Sequence, residues 1–240
     1  MNDHLRILYN NAADRSTISA SSTAGALVAA NMLTDRKSDT WRSTGGTATI
    51  TMTFASAEFV GCVATPFCNL TSAATFRVRT YTEVADVTPV IDTGVVQACA
   101  STPLGLWEWG NVPLGVNAYS YGGANYGRAW FATNPVKKIV IDIVDSTNPV
   151  GYIEMSRMVA GAYFIPERNA ELDAYLEVLE ASKSERNDAT DLITDIGGKS
   201  KKITFNLQHM SPADRNSVTN ILKGNGVAKP MFISLYPDDD

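Results

Sequence analysis

The chain has 240 residues, 45% hydrophobic and only 19% charged, with a formal net charge of −5. That is enough apolar material for one large β domain or two small ones, and low charge with many Thr, Ser, Gly and Val suits strands and turns. No basic stripe is present to attract nucleic acid, and no apolar run is long enough to span a membrane.

The N-terminal stretch MNDHLRILYNNAADRS lacks a long apolar centre, so no secretory leader is expected. The polar segment NMLTDRKSDTWRSTGG, residues 31–46, then feeds directly into TATITMTF. There Ala48, Ile50, Met52 and Phe54 alternate with threonines, which predicts a half-buried strand. EFVGCVATPF reads as a central strand. TFRVRTY alternates again, with Phe76 and Val78 on one face and Arg77 and Arg79 on the other. Cys62, Cys68 and Cys99 are odd in number and form no CxxC pair. Buried reduced thiols are expected, a Cys62–Cys68 bridge being the alternative, and a reducing cytoplasm is the expected site of synthesis.

Residues 104–131 are rich in Gly, Asn and aromatics. Trp107, Trp109, Tyr119, Tyr121, Tyr126 and Trp130 are candidates for a protein interface, for packing on the chain's own sandwich, or for a sugar platform. KKIVIDIVD then sets Ile139, Ile141 and Ile143 on one face, and GYIEMSRMVAGAYF reads as a further strand or pair. Short strands separated by Gly, Pro, Asn and Asp predict a sandwich or jelly roll.

Charge density almost doubles after residue 150, and a boundary is placed near Pro166. ELDAYLEVLEAS carries Leu172, Leu176 and Leu179 at helical spacing, although AYLEVLE also reads as a strand. KKITFNLQHM reads as a strand with Ile203, Phe205 and Leu207 on one face. SPADRNSVTNILKGNG is the best helix signal: Ser211 at N-cap, Pro212 at N1, Asp214 at N3, a stripe of Val218, Ile221 and Leu222, and Gly224 as the stop. The helix is expected to pack on a sheet containing KKITFNL and MFISLY, the final strand.

Catalytic constellations are scarce. The two histidines, His4 and His209, offer little for a Ser–His–Asp triad or a zinc site, and no Walker-type loop is present. Asp35 and Asp39 could join carbonyls around calcium; the alternative is hydrogen bonding within a turn. No cofactor or metal is expected, and an enzyme such as a glycosidase or esterase ranks last.

Asn31, Leu33, Asp35, Trp41, Arg42 and Ser43 resemble the N-L-x-D…W-R-S stretch of galactose-binding-like (discoidin-type) jelly rolls. The likeness continues through TFRVRTY, VIDTG, KKIVIDIVD and GYIEMSRMVAG, over roughly residues 15–165. It implies a jelly-roll sandwich over 1–165, with Trp41 plugging one end while Asn31, Asp35 and Ser43 hold turns. IPERNAE, DIGGKSKKITFNLQHMSPADRNSVTNIL and KPMFISLYP resemble the C-terminal part of tailed-phage tail-tip proteins, including distal tail proteins. That likeness implies a small α+β assembly domain over 166–240 and a strand for AYLEVLEASKSER. It also implies a virion structural protein made in the host cytoplasm, forming a homo-oligomeric ring with tail tube, hub or tip proteins. The alternative is a carbohydrate-binding module that adheres to host glycans.

Overall fold

A computed structural model describes residues 4–99, 125–170, 175–186, 188–235 and 237. The fold is mainly β. Its strands are β1 (Arg6–Leu8), β2 (Ser16–Ala20), β3 (Trp41–Arg42), β4 (Thr47–Cys68), β5 (Thr75–Tyr81), β6 (Ile91–Asp92), β7 (Val96–Gln97), β8 (Asn125–Val144), β9 (Glu154–Met155) and β10 (Val159–Gly161). They are followed by β11 (Tyr175–Glu180), β12 (Lys183–Arg186), β13 (Leu192–Asp195), β14 (Lys199–Thr204), the helix α1 (Pro212–Asn225) and β15 (Phe232–Ser234).

Strands β2 to β10 make one nine-stranded sheet system in the order β3-β9-β4-β8-β5-β6, with β2 and β10 added on β4 and β7 on β5. TATITMTF and EFVGCVATPF, read separately in the sequence, belong to the single strand β4. Its antiparallel register with β8 slips between Thr53 and Glu58, between Val60 and Cys62, and between Thr65 and Cys68. Bulges of this kind bend a strand and sharpen its twist. Two long bent strands thereby serve both layers of a sandwich around one core. Ile50, Met52, Phe54, Phe76, Val78, Ile139 and Ile141, the expected inward residues, are all buried in it.

The two halves of β4 differ in burial. Its first half alternates, threonines outward. Beyond Phe59 it is covered on both faces: Val60 and Val63 join the main core, while Cys62 and Ala64 face a second cluster with Leu8 and Val159. Trp130, Tyr163 and Phe232 pack on that second cluster. A strand covered twice has no polar face to show, so its sequence runs apolar without alternation. All three cysteines are buried free thiols, and burial pushes the Cys62 thiol pKa up.

The second cluster is closed from both ends of the chain. β1 pairs antiparallel with β15, Ile7 opposite Ile233. Ile7 also exchanges backbone hydrogen bonds with Phe164, at 2.9 and 2.8 Å. Pairing therefore crosses the boundary near Pro166. Gly161 runs so close to the Asn10 carbonyl that a Cβ there would collide with it.

The expected sheet of KKITFNL with MFISLY does not form: β15 pairs with β1, and β14 with β11. β14 stops at Thr204, opposite Tyr175, so Phe205 and Leu207 lie outside it. The 175–204 segment is extended despite the helical spacing of its leucines. Acidic YLEVLE finds a basic partner in KSKKIT, and cross-strand opposite charges favour the ladder. Helix α1 starts as expected, the Ser211 hydroxyl accepting from the Asp214 amide. It passes through Gly224 and ends at Gly226, whose φ of 55° suits glycine and whose amide donates to the Leu222 carbonyl. The helix is held by Asn225 Nδ2 donating to the Tyr9 carbonyl at 2.5 Å and by Asp214 accepting from the Glu167 amide. Ile221 is buried, whereas Leu222 is exposed.

Candidate functional site

The loop after Asn31 explains the aromatic residue that precedes β4. Trp41 is completely buried in the main core, and its indole N–H donates to the Ser22 carbonyl at 3.0 Å. Asn31 Nδ2 donates to the Thr40 carbonyl, closing the loop on itself. Ser43 Oγ donates to Gly45 and accepts from the Ile153 amide at 2.8 Å. Arg42 ion-pairs with Glu154 at 2.6 Å and lies over the Tyr152 ring. Four motif residues thus spend their polar groups locally, holding the loop against the sandwich.

The fifth, Asp35, points elsewhere. Its carboxylate lies 3.0 Å from Arg157 Nη2, which also donates to Asp14 at 3.0 Å. Arg157 is nearly buried, so two carboxylates offset the cost of taking its charge out of water. Asp39 instead accepts from the Thr34 hydroxyl. The two carboxylates proposed for calcium therefore serve different partners. Among the described residues, no three His, Cys, Asp or Glu side chains are grouped to hold a metal.

Arg157 forms one wall of a cleft of about 410 Å³. Loop 34–37 makes its rim, Pro66 and Phe67 at the end of β4 make its floor, and Met231 and Phe232 make the opposite wall. The Lys37 ammonium sits 4.3 Å from the centre of the Phe67 ring, a cation–π contact. Arg36 beside it is exposed, and neither Arg36 nor Lys37 forms an ion pair among the described residues. An apolar floor, a cationic rim and a few hydrogen-bonding groups are the usual furniture of a small-ligand site. The cleft draws on five separated pieces of chain, of which only the one carrying Asp35 belongs to a motif. Only Asp35 among its residues was legible beforehand.

Of the aromatic candidates, Trp107, Trp109, Tyr119 and Tyr121 lie outside the described residues. Tyr126 is half-buried, with the Arg128 guanidinium 5.9 Å from its ring. Trp130 fills the seam between sandwich and β15: Tyr163 meets it edge-on at 5.1 Å, Phe232 lies at 6.1 Å, and Arg6 covers its ring at 5.0 Å. His4 Nδ1 is 3.0 Å from the Pro166 carbonyl, and His209 holds a φ of 56° ahead of α1.

No protein-family model matches the chain, and no curated protein matches it. Solved structures resemble it in part. One is chitosan-binding module 1 of a chitosanase/glucanase from Paenibacillus sp. IK-5, with a TM-score of 0.43 and 15% identity, covering 64% of this chain and 99% of that one. A GH29 fucosidase from Ruminococcus gnavus in complex with fucose gives 0.46 and 10%, covering 65% of this chain and 27% of the enzyme. A third, the module CBM32-5 of a Clostridium perfringens GH89 protein in complex with GalNAc-β-1,3-galactose, gives 0.42 and 8%, covering 64% of this chain and all of that one.

Proposed function

We propose that this chain works by binding rather than by catalysis, and that its ligand is an acidic glycan held in the cleft beside loop 34–37. The observation that carries the reading is the pairing of Lys37 with Phe67. Here an aromatic ring and a cation with no ion-pair partner among the described residues share one opening, on a chain whose overall charge is negative. A pyranose ring lays its C–H face on an aromatic ring, and a uronate or sulfate would draw Lys37 off Phe67 while Arg36 supplies a second cation. Arg157 holds the Asp35 side of the rim in place. The volume lies within the range of small-ligand sites.

Titration calorimetry of the chain with uronate-containing and neutral oligosaccharides tests this. Weak binding of the acidic series is expected, falling about tenfold or more in Lys37→Ala and in Phe67→Ala, and weakening with salt. Equal affinity for neutral sugars, or acidic binding that survives both substitutions, would refute it.

A second reading is a structural role in a tailed-phage tail tip, as a homo-oligomeric ring component beside tube, hub or tip proteins. The observation favouring it is the exposure of large apolar side chains along residues 175–204, Ile196 being 84% exposed. Exposed apolar surface of that kind belongs at interfaces. Incorporation into assembled tails, measured on purified particles, decides it.

A further inference from the structure

Residues 175–204 form a ribbon only two strands wide. β11 and β14 pair over six residues and β12 and β13 over four, both antiparallel, with the register slipping by one residue between the two pieces. The two pieces join where Ala181 donates to the Gly198 carbonyl and Gly197 donates to Ser182 Oγ, both at 3.0 Å. Gly197 lies so near the Ala181–Ser182 backbone that a Cβ would clash with it. No third strand adds to either piece among the described residues. A two-stranded ribbon is marginal in water, and its bare edges are templates for further pairing.

Its side chains point to the same need. Register puts Tyr175 and Leu179 on one face and Val178 and Ile203 on the other, and all four are exposed. In the outer piece Leu192 and Ile193 are exposed on opposite faces as well. A ribbon resting on its own sandwich would be apolar on one face only. This one offers apolar groups on both, so its two faces as well as its two edges are left for a neighbour to cover.

We infer that this ribbon joins copies of the chain, the β11–β12 edge of one copy pairing antiparallel with the β13–β14 edge of the next. Charge selects that arrangement. β11 reads YLEVLE and β14 reads KSKKIT; β12 reads KSER and β13 reads LITD. Inside one copy Glu177 lies opposite Lys202, 3.3 Å from its ammonium, and Lys183 lies opposite Asp195. Repeating that register between copies again sets acid against base in both pieces. A two-fold pairing of β11 with another β11 has no basic residue to set against Glu177 or Glu180, so it forgoes this complementarity. The contact is therefore head-to-tail. It leaves one edge free on each copy added, so it closes into a ring or continues as a filament. This inference is independent of the cleft and its ligand.

Size-exclusion chromatography with light scattering on the full chain is the first measurement. Oligomers that grow with concentration are expected, together with a monomeric Val178→Lys, Ile203→Lys variant of unchanged far-UV circular dichroism. Geometry is read with Glu177→Cys and Lys202→Cys proteins and a short bismaleimide. Mixed, they should cross-link into dimers at least tenfold faster than either does alone. A wild-type chain that stays monomeric up to about 100 µM, or Glu177→Cys protein cross-linking to itself as fast as to its partner, would overturn the inference.

Discussion

Replacing Trp41 by alanine tests whether the loop before β4 is structural. The side chain is fully buried. An indole covers about 200 Å². At ~25 cal/mol per Å² its transfer alone is worth about 5 kcal/mol, an upper bound because unfolded chains already bury part of their surface. Measured losses for large aromatics cut to alanine are about 3–5 kcal/mol. The Ser22 carbonyl would also lose its indole donor. With a urea m-value of about 2–3 kcal/mol per M, the midpoint should fall by about 1–2 M in a far-UV circular dichroism titration. Trp41→Phe restores much of the area but not the hydrogen bond, so it should fall between the two, about 1–3 kcal/mol below wild type. A Trp41→Ala protein with an unchanged midpoint, or one that keeps its stability and loses glycan binding, would refute the plug.

Two smaller effects should accompany it. Ser211→Ala removes the acceptor for the Asp214 amide, and should cost about 0.5–2 kcal/mol in the same titration while leaving the strand signal intact. On the outer face of the sheet, the Arg77 guanidinium and the Gly94 amide hold the Asp92 carboxyl down to a pKa of about 2. A carboxyl whose pKa drops on folding stabilises the fold above its unfolded value near ~4, and that contribution is lost as pH falls toward ~2. Melting temperatures of wild type and Asp92→Asn should therefore differ at pH 6 and converge by pH 2; parallel curves over that range would contradict it.

The inward face of β4 was legible because Thr-x-Thr-x repeats a two-residue period with no interruption. The continuity of β4 was not, because the bulge around ASAE breaks that period at the point where the strand bends. Cap residues around Ser211 announced the start of α1, since capping is a local interaction. Its end was misplaced by two residues because Gly224 and Gly226 look alike in sequence and only Gly226 takes a positive φ. β1 was invisible: RIL is three residues long, and its partner lies more than 220 residues away. The cleft escaped for the same reason. Phe67 and Lys37 carry no pattern apart, and only the bend of the sheet sets one over the other.

The pairing of β1 with β15 has a kinetic consequence. Residues 6–8 leave the ribosome early, yet their strand partner at 232–234 is made far later. Until residue 232 is made, β1 has no strand partner on that edge and the second cluster lacks the cover of Phe232. Closing so long a loop adds little to the equilibrium cost, which grows only with the logarithm of its length. It does delay the final docking step and prolongs exposure of Leu8 and Trp130 to other nascent chains. Slow translation or a stalled chain short of residue 232 should be where this protein meets chaperones and aggregates most readily.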